Sequence, residues 1–292
     1  MSELAYVNGV FCPIADAKVS VEDRGFQFGD AVYEVAVSYD GRFFQLSEHL
    51  ARLKRSAAAI RLDYDFEARP LEPIIHEGLQ RSGLRDAVVY IQLTRGAAPR
   101  THVLQTPVEP TLVMTFRPRS RLPEELRRRG AHVITITDER WANCYVKAVT
   151  LLPNVLARYQ AIDRGCDDAV FVSPAGEVRE CTAANIFVVR GQRILTPPRT
   201  DAVLHGITQR FVMSCAEALG FAVEESHLFV PDLLSAAEVF MSSTTAEILG
   251  ITMIDGKPVG DGKVGPITTQ VHAEFVRRTR PEKAAPRSRA AC

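Results

Sequence analysis

The chain of 292 residues carries 35 basic and 35 acidic side chains, so its formal net charge is zero, and 46% of its residues are hydrophobic. These values indicate a soluble globular protein with room for one large or two medium domains. A nucleic acid or an anionic membrane normally requires a clustered basic surplus. The charge balance therefore removes the electrostatic case for either partner and favours a small molecule.

Targeting and redox features indicate the cytoplasm. No apolar run approaches the roughly 20 residues needed to span a bilayer, and the N-terminal stretch MSELAYVNGV lacks the basic and apolar regions of a signal peptide. The six cysteines have no CxxC spacing, which is typical of reduced thiols and disfavours a zinc site or a disulfide framework. We therefore expect a cytoplasmic protein without a bound metal.

The first part of the chain is predicted to alternate short strands with helices. AYVNGVFCP and AVYEVAVSYDGRFFQL alternate apolar and polar residues, which predicts antiparallel strands and a tight turn at Asp40-Gly41. Ser47 is the predicted N-cap of a helix, and Leu71 to Leu84 form a second helical pattern. AVVYIQLTRG and EPTLVMTFRPR follow as predicted strands. The predicted apolar stripe of the first helix is Leu50, Leu53, Ala57 and Ile60.

The second part is predicted to follow the Pro- and Arg-rich stretch RPRSRLPEEL. AHVITITDE predicts a strand, and a helix is expected between Lys147 and Gly165. Hairpins are predicted to turn at Pro174 to Gly176 and at Gly191, followed by a helix that starts at Gly206 and a last core strand, EVFMSSTT. The predicted domains are an N-terminal α/β domain at 1–117, a linker at 118–124, a C-terminal domain at 125–276 and a disordered tail at 277–292.

Lys147 lies between apolar residues in WANCYVKAVTLLPNVLAR, with no acidic residue nearby in the sequence. A buried, unpaired ammonium is costly, and proteins commonly respond by lowering the lysine pKa until the amine is neutral. A neutral amine can form a Schiff base with a carbonyl group of a substrate or of pyridoxal phosphate. The alternative is a lysine that extends from a strand end into water, and the local sequence alone favours that alternative.

A pyridoxal phosphate site also needs an acid for the pyridine nitrogen and donors for a phosphate. Glu180 in VRECTAANIF is a candidate acid, although a single glutamate near a hairpin is more often a solvated surface charge. HGITQR places Gly206, Ile207 and Thr208 at a helix N-terminus, where free N–H groups favour an anion. SSTT at 242–245 adds four hydroxyls. Each signal is weak alone, because such clusters are usually caps and turns.

Seven stretches in order along the chain resemble the class IV family of pyridoxal-phosphate-dependent aminotransferases. This family has fold type IV and includes branched-chain aminotransferases, aminodeoxychorismate lyases and D-amino acid aminotransferases, and the last of these are the most similar. The resemblance extends from the N-terminal strand to Gly265. It rests on EDRGFQFGDAVYEV, EHLARL, LTRGAAPRTH, VKAVTLLPNVLA, the glutamate of RECTAANIF, LHGIT and SSTTAEI.

The resemblance implies an α+β chain with the two-domain fold of type IV pyridoxal-phosphate enzymes. It implies a transaminase that moves the amino group, by a ping-pong mechanism, between a D-amino acid such as D-alanine and a 2-oxo acid, either 2-oxoglutarate or pyruvate. Pyridoxal 5'-phosphate is the implied cofactor, and the implied assembly is a homodimer whose subunits share each active site.

Residue by residue, the resemblance makes Lys147 the Schiff-base lysine and the general acid and base, and Glu180 the partner of the pyridine nitrogen. Leu204 matches a residue that packs against the cofactor ring. The stretch Thr182 to Ala184 departs from the serine-rich loop of a D-alanine enzyme, so hydroxyl contacts to the cofactor are not expected beyond Thr182. The implied phosphate ligands are Arg52, Ile207, Thr208, Ser243 and Thr244.

Substrate selection follows from a geometric argument. The lysine can remove the α-proton only when the Cα–H bond points at it, so the site of carboxylate binding selects the enantiomer. Arg100 and His102 are two residues apart, which directs both side chains to one face of an extended segment. A guanidinium and an imidazole on one face form a good receptor for a carboxylate. Without further evidence, however, the sequence favours the alternative that Arg100 and His102 are ordinary polar residues of a loop. The resemblance implies that both reach in from the neighbouring subunit and bind the carboxylate together with Tyr33.

Several alternatives stay open on the sequence. A branched-chain L-amino acid aminotransferase or an aminodeoxychorismate lyase shares the cofactor residues but is not expected to show the Arg100 and His102 pair. An (R)-selective amine transaminase presents the same face of the cofactor as the D-specific enzymes. Two further alternatives need no cofactor, namely a silent binding protein on this scaffold and a lysine-dependent aldolase.

Overall fold

The computed structural model describes residues 3–280, and the chain forms two compact units. Unit 1 comprises the chain up to Ser120 together with Trp141–Leu152, and unit 2 comprises Arg121–Arg140 and the chain from Pro153 onward. Lys147 therefore packs within unit 1, although it falls in the range 125–276 that the sequence assigns to the second domain. The linear domain boundaries themselves stay a prediction.

Unit 1 contains an antiparallel sheet with the strand order β2-β1-β6-β5-β3-β4 within the described residues. Helices cover its core, and Phe116 of the sheet lies so close to one helix that a Cβ atom at Gly78 would come 2.0 Å from the phenyl ring. The strands are β1 (Leu4–Val7), β2 (Val10–Pro13), β3 (Ala31–Tyr39), β4 (Arg42–Phe43), β5 (Ala87–Thr94) and β6 (Thr111–Pro118). The helices are α1 (Arg24–Phe28), α2 (Leu46–Ala59) and α3 (Leu71–Ser82), with a 3-10 turn at Ile14–Asp16.

Unit 2 contains a mixed sheet with the order β12-β11-β10-β13-β14-β7-β8-β9, and β15 pairs with β14, counted over the part of the chain that is described. The pairs β7 with β8, β7 with β14 and β11 with β12 are parallel. The strands are β7 (Ala131–Thr137), β8 (Asp168–Val172), β9 (Val178–Cys181), β10 (Asn185–Arg190), β11 (Arg193–Thr196), β12 (Ala222–Glu225), β13 (Glu238–Ser243), β14 (Glu247–Ile254) and β15 (Lys257–Pro258). The helices are α4 (Glu124–Arg129), α5 (Leu152–Asp163), α6 (Ile207–Ala218), α7 (Val230–Leu234) and α8 (Pro266–Thr279).

The predicted turns are confirmed where glycine permits a left-handed backbone. Asp40 and Gly41 have φ angles of 54° and 83° between β3 and β4, as a tight hairpin turn requires. Gly176 and Gly191 have φ angles of 80° and 58° in the two predicted hairpins of unit 2. The predicted α+β composition is confirmed as well. No helix within residues 3–280 has both the length and the apolar character to cross a membrane.

The predicted cap of α2 is wrong. The helix begins at Leu46 with Gln45 as N-cap, so Ser47 lies inside the first turn. Leu46, the first residue of the helix, packs into the core of unit 1. The predicted stripe is also displaced, because Leu50 and Ile60 are only half-buried. The buried face of α2 consists of Leu46, His49, Arg52, Leu53, Ser56 and Ala57.

EVFMSSTT is not the last core strand, because β14 follows it after a tight turn and is almost wholly buried. Helix α8 was not predicted, and it extends to Thr279, so the start of the predicted disordered tail is helical. Glu274 on α8 pairs with both Arg277 and Arg278, which stabilises this last turn. Residues 281–292 of the predicted tail lie outside the described residues.

Candidate active site

Lys147 lies on a short segment that continues the sheet of unit 1. Its carbonyl oxygen accepts from the backbone N–H of Tyr33 at 2.9 Å, and Ala148 forms an isolated bridge with Val32. Its own N–H donates to Ser56 Oγ on α2 at 3.2 Å. The backbone of Lys147 is therefore fixed by both β3 and α2, and its side chain starts from a defined position.

The amine of Lys147 lies beside the ring and the hydroxyl of Tyr33. Its Nζ lies 3.1 Å from the hydroxyl of Tyr33 and 4.2 Å from the centre of that ring. Tyr33 stacks on Tyr90 with ring centres 5.6 Å apart. Burial, with a smaller contribution from Tyr33, raises the pKa of Tyr90 to about 12, so Tyr90 stays neutral near pH 7. No carboxylate of unit 1 pairs with Lys147 within the described residues, which leaves the amine with a phenol as its side-chain partner.

Arg52 belongs to a buried ion cluster on α2 and β3. Its Nε and Nη2 donate to the two oxygens of Glu34 at 2.6 and 3.0 Å. His49 Nδ1 lies 2.8 Å from the same carboxylate. Burial alone would raise the pKa of Glu34, but the charge of Arg52 and the hydrogen bonds from His49 and Arg52 outweigh it and hold that pKa at about 2. Glu34 therefore fixes the orientation of the guanidinium that the sequence assigned to phosphate binding.

Arg100 and His102 lie in an irregular, exposed loop, so the extended segment expected there is absent from the structure. Both side chains still converge on Phe28. The guanidinium of Arg100 lies 4.7 Å from the centre of the Phe28 ring, and the His102 ring lies 5.7 Å from it. Buried Arg24 on α1 holds this loop, because it donates to the carbonyl oxygens of Thr101 at 2.5 Å and of His102 at 3.2 Å.

Glu180 in unit 2 is held by one cation and by neutral amides. Arg140 Nη1 donates to its Oε1 at 2.6 Å, and the backbone N–H of Leu204 donates to its Oε2 at 3.1 Å. Asn185 Nδ2 lies 3.4 Å from Oε2. Arg140 also binds Asp138, and these carboxylates raise the pKa of Arg140 against the lowering effect of burial. Glu180 is thus a buried carboxylate of fixed orientation and not the solvated surface charge of the alternative interpretation.

The predicted phosphate ligands of unit 2 meet at the start of α6. The helix begins after Gly206, and the first N–H groups of an α-helix have no partner within the helix. Thr208 Oγ1 on α6 lies 3.5 Å from Thr244 Oγ1 in the turn between β13 and β14. Ser243 Oγ accepts from the N–H of Ala246 at 3.1 Å. Thr208 and Thr244 therefore lie together at the start of α6, where Ile207 is the first helical residue, and Ser243 is the chain neighbour of Thr244.

One feature of unit 2 fits a phosphate-bearing cofactor at the start of α6. A Cβ atom at Gly206 would lie 2.0 Å from Asn185 Oδ1, so a side chain at the helix start is excluded there. Helix N–H groups, hydroxyls and a bare helix start are the chemistry of an anion site. The donors at the start of α6, the fixed carboxylate of Glu180 and the amine of Lys147 are the residue types that pyridoxal 5'-phosphate requires, so the residues of each unit fit this cofactor.

The hydroxyl of Thr182 is already engaged within unit 2. It donates to Asp168 Oδ1 at 2.5 Å, and both residues are buried. The role of Thr182 in the structure is therefore to fix the loop after Glu180.

Sequence reasoning missed the residues that position the predicted ones. Arg24, Glu34, Arg140 and Asn185 each hold a predicted site residue or its loop, as described above. Arg24 and Glu34 fall within the quoted stretch EDRGFQFGDAVYEV, and that resemblance was the available signal for them. Arg140 has no such signal, because its partner Glu180 is 40 residues away.

Comparisons with known proteins agree with this chemistry. The Amino-transferase class IV model matches residues 31–254. A D-alanine aminotransferase of Staphylococcus epidermidis is 39% identical over 271 residues, which cover 92% of this chain and 95% of that protein. A D-alanine aminotransferase of Listeria innocua is 40% identical over 266 residues, which cover 89% of this chain and 91% of that protein.

A solved structure of the branched-chain aminotransferase of the archaeon Thermoproteus uzoniensis with norvaline superposes with a TM-score of 0.86 and 27% identity. The match covers 97% of this chain and 97% of that one. The fold type IV prediction is therefore confirmed. The family model spans most of the chain, and the full-length relatives share well over a third of their residues with it, so the chain belongs to the class IV amino-transferases and is a pyridoxal-phosphate-dependent aminotransferase.

Proposed function

We propose that the chain is a D-amino acid transaminase that transfers the amino group between a D-amino acid such as D-alanine and 2-oxoglutarate or pyruvate. The similarity over almost the whole chain to D-alanine aminotransferases carries this proposal. The family was shown above, whereas the choice of a D-substrate depends on the loop of Arg100 and His102. In the net reaction, the donor exchanges its α-amino group and α-hydrogen for a keto oxygen from water and becomes a 2-oxo acid. The acceptor gains an amino group and a hydrogen and releases its keto oxygen as water.

Pyridoxal 5'-phosphate, when bound, supplies an electron sink that stabilises negative charge at the substrate α-carbon. Lys147 Nζ accepts the α-proton and later returns it, and the Tyr33 hydroxyl 3.1 Å away orients that nitrogen. Glu180 pairs with the pyridine nitrogen. The phosphate is bound by the N–H groups at the start of α6 and by the hydroxyls of Thr208 and Thr244. Ser243 and Arg52 complete the proposed set of phosphate ligands. Leu204 packs against the ring face.

Arg100 and His102, with Tyr33, bind the substrate carboxylate in this proposal. Both loop side chains are exposed and converge on Phe28, and Arg24 fixes the backbone between them. A guanidinium and an imidazole in one place form a receptor for a carboxylate. A substrate without a carboxylate should therefore gain no binding energy from Arg100 and His102.

A homodimer with shared active sites is part of the proposal. One face of α5 presents apolar side chains to solvent, and the loop beside Arg100 exposes Val103 at 68% while α1 exposes Phe26 at 79%. The exposed apolar face of α5 supports this proposal, because apolar patches of this kind are typical of protein–protein interfaces. The exposed apolar residues of α5 are Leu152, Val155, Leu156, Tyr159 and Ile162.

The shared site has a direct test. Lys147→Ala and Arg100→Ala each impair every site of their own homodimers. Mixing and subunit exchange would place Arg100 of one chain beside Lys147 of the other. We expect the mixture to show a higher activity than either variant shows alone. Absence of recovery after proven exchange would contradict the shared site.

We also propose a cytoplasmic location. The five cysteines within the described residues, Cys12, Cys144, Cys166, Cys181 and Cys215, are free thiols. Free thiols without any disulfide are typical of a reducing compartment. Fractionation of cells that express the chain with an epitope tag tests this location.

The branched-chain L-amino acid aminotransferase is the second candidate, because the superposed structure named above is a branched-chain aminotransferase. A panel of D- and L-amino acids with 2-oxoglutarate as acceptor separates the two. We expect the highest catalytic efficiency with a D-amino acid. A preference for L-leucine would support the second candidate, and a preference for (R)-1-phenylethylamine would indicate an (R)-selective amine transaminase.

A further inference from the structure

Glu247 is a buried carboxylate with an unusual backbone conformation. It begins β14 directly after the turn at residues 244–246, and it is 3% exposed. Its φ angle is +62°, in the left-handed region that side-chain-bearing residues rarely adopt. Such a conformation persists only where the surroundings hold it in place. The contacts of the carboxylate identify what holds it.

Three basic side chains from outside the turn surround the carboxylate of Glu247. Arg280 Nη2 pairs with its Oε1, and Arg127 Nη2 lies 3.7 Å from its Oε2. His272 Nε2 lies 3.2 Å from the same oxygen. Arg127 belongs to α4, and the other two lie on or directly after α8. Burying a carboxylate is costly unless it is paired, so this cluster ties the start of β14 to two helices.

The turn that Glu247 closes carries the hydroxyls assigned above to the phosphate. Glu247 is paired in register with Ser243 across the turn. Ser243 Oγ accepts from the N–H of Ala246, and Thr244 Oγ1 lies 3.5 Å from Thr208 Oγ1. If the carboxylate were released, the left-handed backbone at Glu247 would relax and the turn would shift. The hydroxyls would then lose their position relative to the start of α6.

We propose that Glu247 is a positioning residue for cofactor binding, which acts through the turn and does not itself touch the cofactor. The inference rests on the proposed function, since it requires the phosphate of pyridoxal 5'-phosphate at Ser243, Thr244 and Thr208. Arg127, His272 and Arg280 share this role through Glu247. Their effect is on the affinity for the cofactor and not on the chemical step.

The test has two measurements. The apoenzyme is titrated with pyridoxal 5'-phosphate, and the change in protein fluorescence gives the dissociation constant of the cofactor. The second measurement is kcat at saturating cofactor. Glu247→Gln keeps the shape of the side chain and removes its charge, so we expect a dissociation constant raised roughly tenfold, the equivalent of one good hydrogen bond. At saturating cofactor, kcat should stay near that of the wild type. Glu247→Gly relieves the backbone strain and removes the anchor, and it should weaken binding at least as much.

Glu274→Gln is the matched control. Glu274 is also a buried carboxylate on α8 with two arginine partners, Arg277 and Arg278, but it has no contact with the turn. We expect unchanged cofactor affinity in this variant. If Glu247→Gln does not fold, Arg280→Gln removes one cation without altering the turn and should weaken binding in the same direction by a smaller factor.

The outcomes separate this inference from the proposed function. If Thr244→Ala weakens cofactor binding while Glu247→Gln and Arg280→Gln leave it unchanged, the inference is wrong and the phosphate site stands. If Thr244→Ala leaves the dissociation constant unchanged, the phosphate site itself is wrong, and the inference is overturned with it. A lower kcat at saturating cofactor with normal affinity in Glu247→Gln would also contradict the positioning role.

Discussion

Units 1 and 2 each bury a carboxylate beside an arginine, and the two clusters differ in how the guanidinium is shared. In unit 1, Glu34 is bonded through both oxygens by Arg52, so one guanidinium serves one carboxylate. In unit 2, Arg140 divides its donors between Asp138 and Glu180, so one guanidinium serves two carboxylates. The guanidinium of Arg52 is therefore held in a one-to-one pair, whereas that of Arg140 is shared between two carboxylates.

This difference indicates different roles for the two glutamates. A balanced, buried pair stabilises the fold and orients Arg52. In our proposal, the buried carboxylate of Glu180 pairs with a group that must stay protonated, the pyridine nitrogen of pyridoxal 5'-phosphate. The amine of Lys147 completes the contrast, because a phenol and not a carboxylate lies beside it.

The largest expected effect follows from changing that amine. Lys147→Ala should abolish turnover and the near-visible absorbance of bound cofactor, because the proposal gives this amine both the cofactor link and the proton transfer. Lys54→Ala on the exposed side of α2 is the control and should behave as the wild type. Absorbance spectra and steady-state rates check both variants. Substantial residual transamination by Lys147→Ala would remove the basis of the assignment.

Glu180→Gln tests the charge of the carboxylate in unit 2. The single amide oxygen can keep the hydrogen bond of Arg140 but loses that of the Leu204 N–H, because these two donors bind different oxygens of Glu180. The phosphate ligands should keep the cofactor bound, but a neutral group cannot keep the pyridine nitrogen protonated. We expect kcat to fall by roughly a hundredfold, or about 2.7 kcal/mol in the barrier. Glu224→Gln, which alters an exposed ion pair with Arg193, is the control. A rate near that of the wild type with the best substrate would show that Glu180 is not the pyridine partner.

Arg100→Ala tests the proposed carboxylate-binding loop, which lies outside the clusters of Glu34 and Glu180. Loss of a charge-assisted contact to the carboxylate should lower kcat/KM for D-alanine by roughly ten- to a hundredfold, or about 1.5 to 3 kcal/mol, and His102→Ala should cost less. Activity toward (R)-1-phenylethylamine, which has no carboxylate, should be spared. Arg55→Ala on exposed α2 surface is the matched control. An equal loss for D-alanine and for the amine would assign Arg100 a structural role.

Glu34→Gln should have the smallest effect on turnover and act on stability instead. Since burial is outweighed by Arg52 and His49, the pKa of Glu34 falls from 4.5 to about 2 in the folded state. The ionised carboxylate therefore contributes stability above the unfolded pKa, of the order of 3 kcal/mol, and this contribution is lost as the pH falls toward 2.

The measurement for Glu34 is urea unfolding of wild type and variant at pH 7 and at pH 3. We expect the difference in unfolding free energy between the two proteins to narrow at pH 3. A difference that stays constant across this range would show that the charge of Glu34 does not stabilise the fold.

Local patterns predicted the elements that depend on neighbouring residues. The hairpins at Gly176 and Gly191 and the turn at Asp40-Gly41 were predicted because glycine and aspartate tolerate the left-handed backbone found there. The site residues came from a resemblance, and their roles stay a prediction. The structure adds that Tyr33 meets Lys147 and that Thr208 meets Thr244.

The features that the local sequence patterns did not predict depend on contacts between residues that are distant in the sequence. The buried face of α2 carries His49 and Arg52 because Glu34 on β3 pairs with both, and no pattern within the helix shows this. In β14, Gly250 interrupts the apolar run, and its place is explained by Val264, whose methyl groups would lie about 3.0 Å from a Cβ atom there. Arg140 could not be assigned for the same reason, since Glu180 is 40 residues away in the sequence.

The most direct test of the central claim is a single half-reaction of the holoenzyme with one amino acid and no acceptor. D-alanine, L-alanine and L-leucine are mixed separately with the enzyme, and the near-visible absorbance of the bound cofactor is followed in a stopped-flow instrument. We predict that D-alanine converts the cofactor spectrum rapidly and releases pyruvate, whereas the two L-amino acids leave it unchanged over the same time. Faster conversion by L-leucine than by D-alanine would contradict the assignment of this chain as a D-amino acid transaminase.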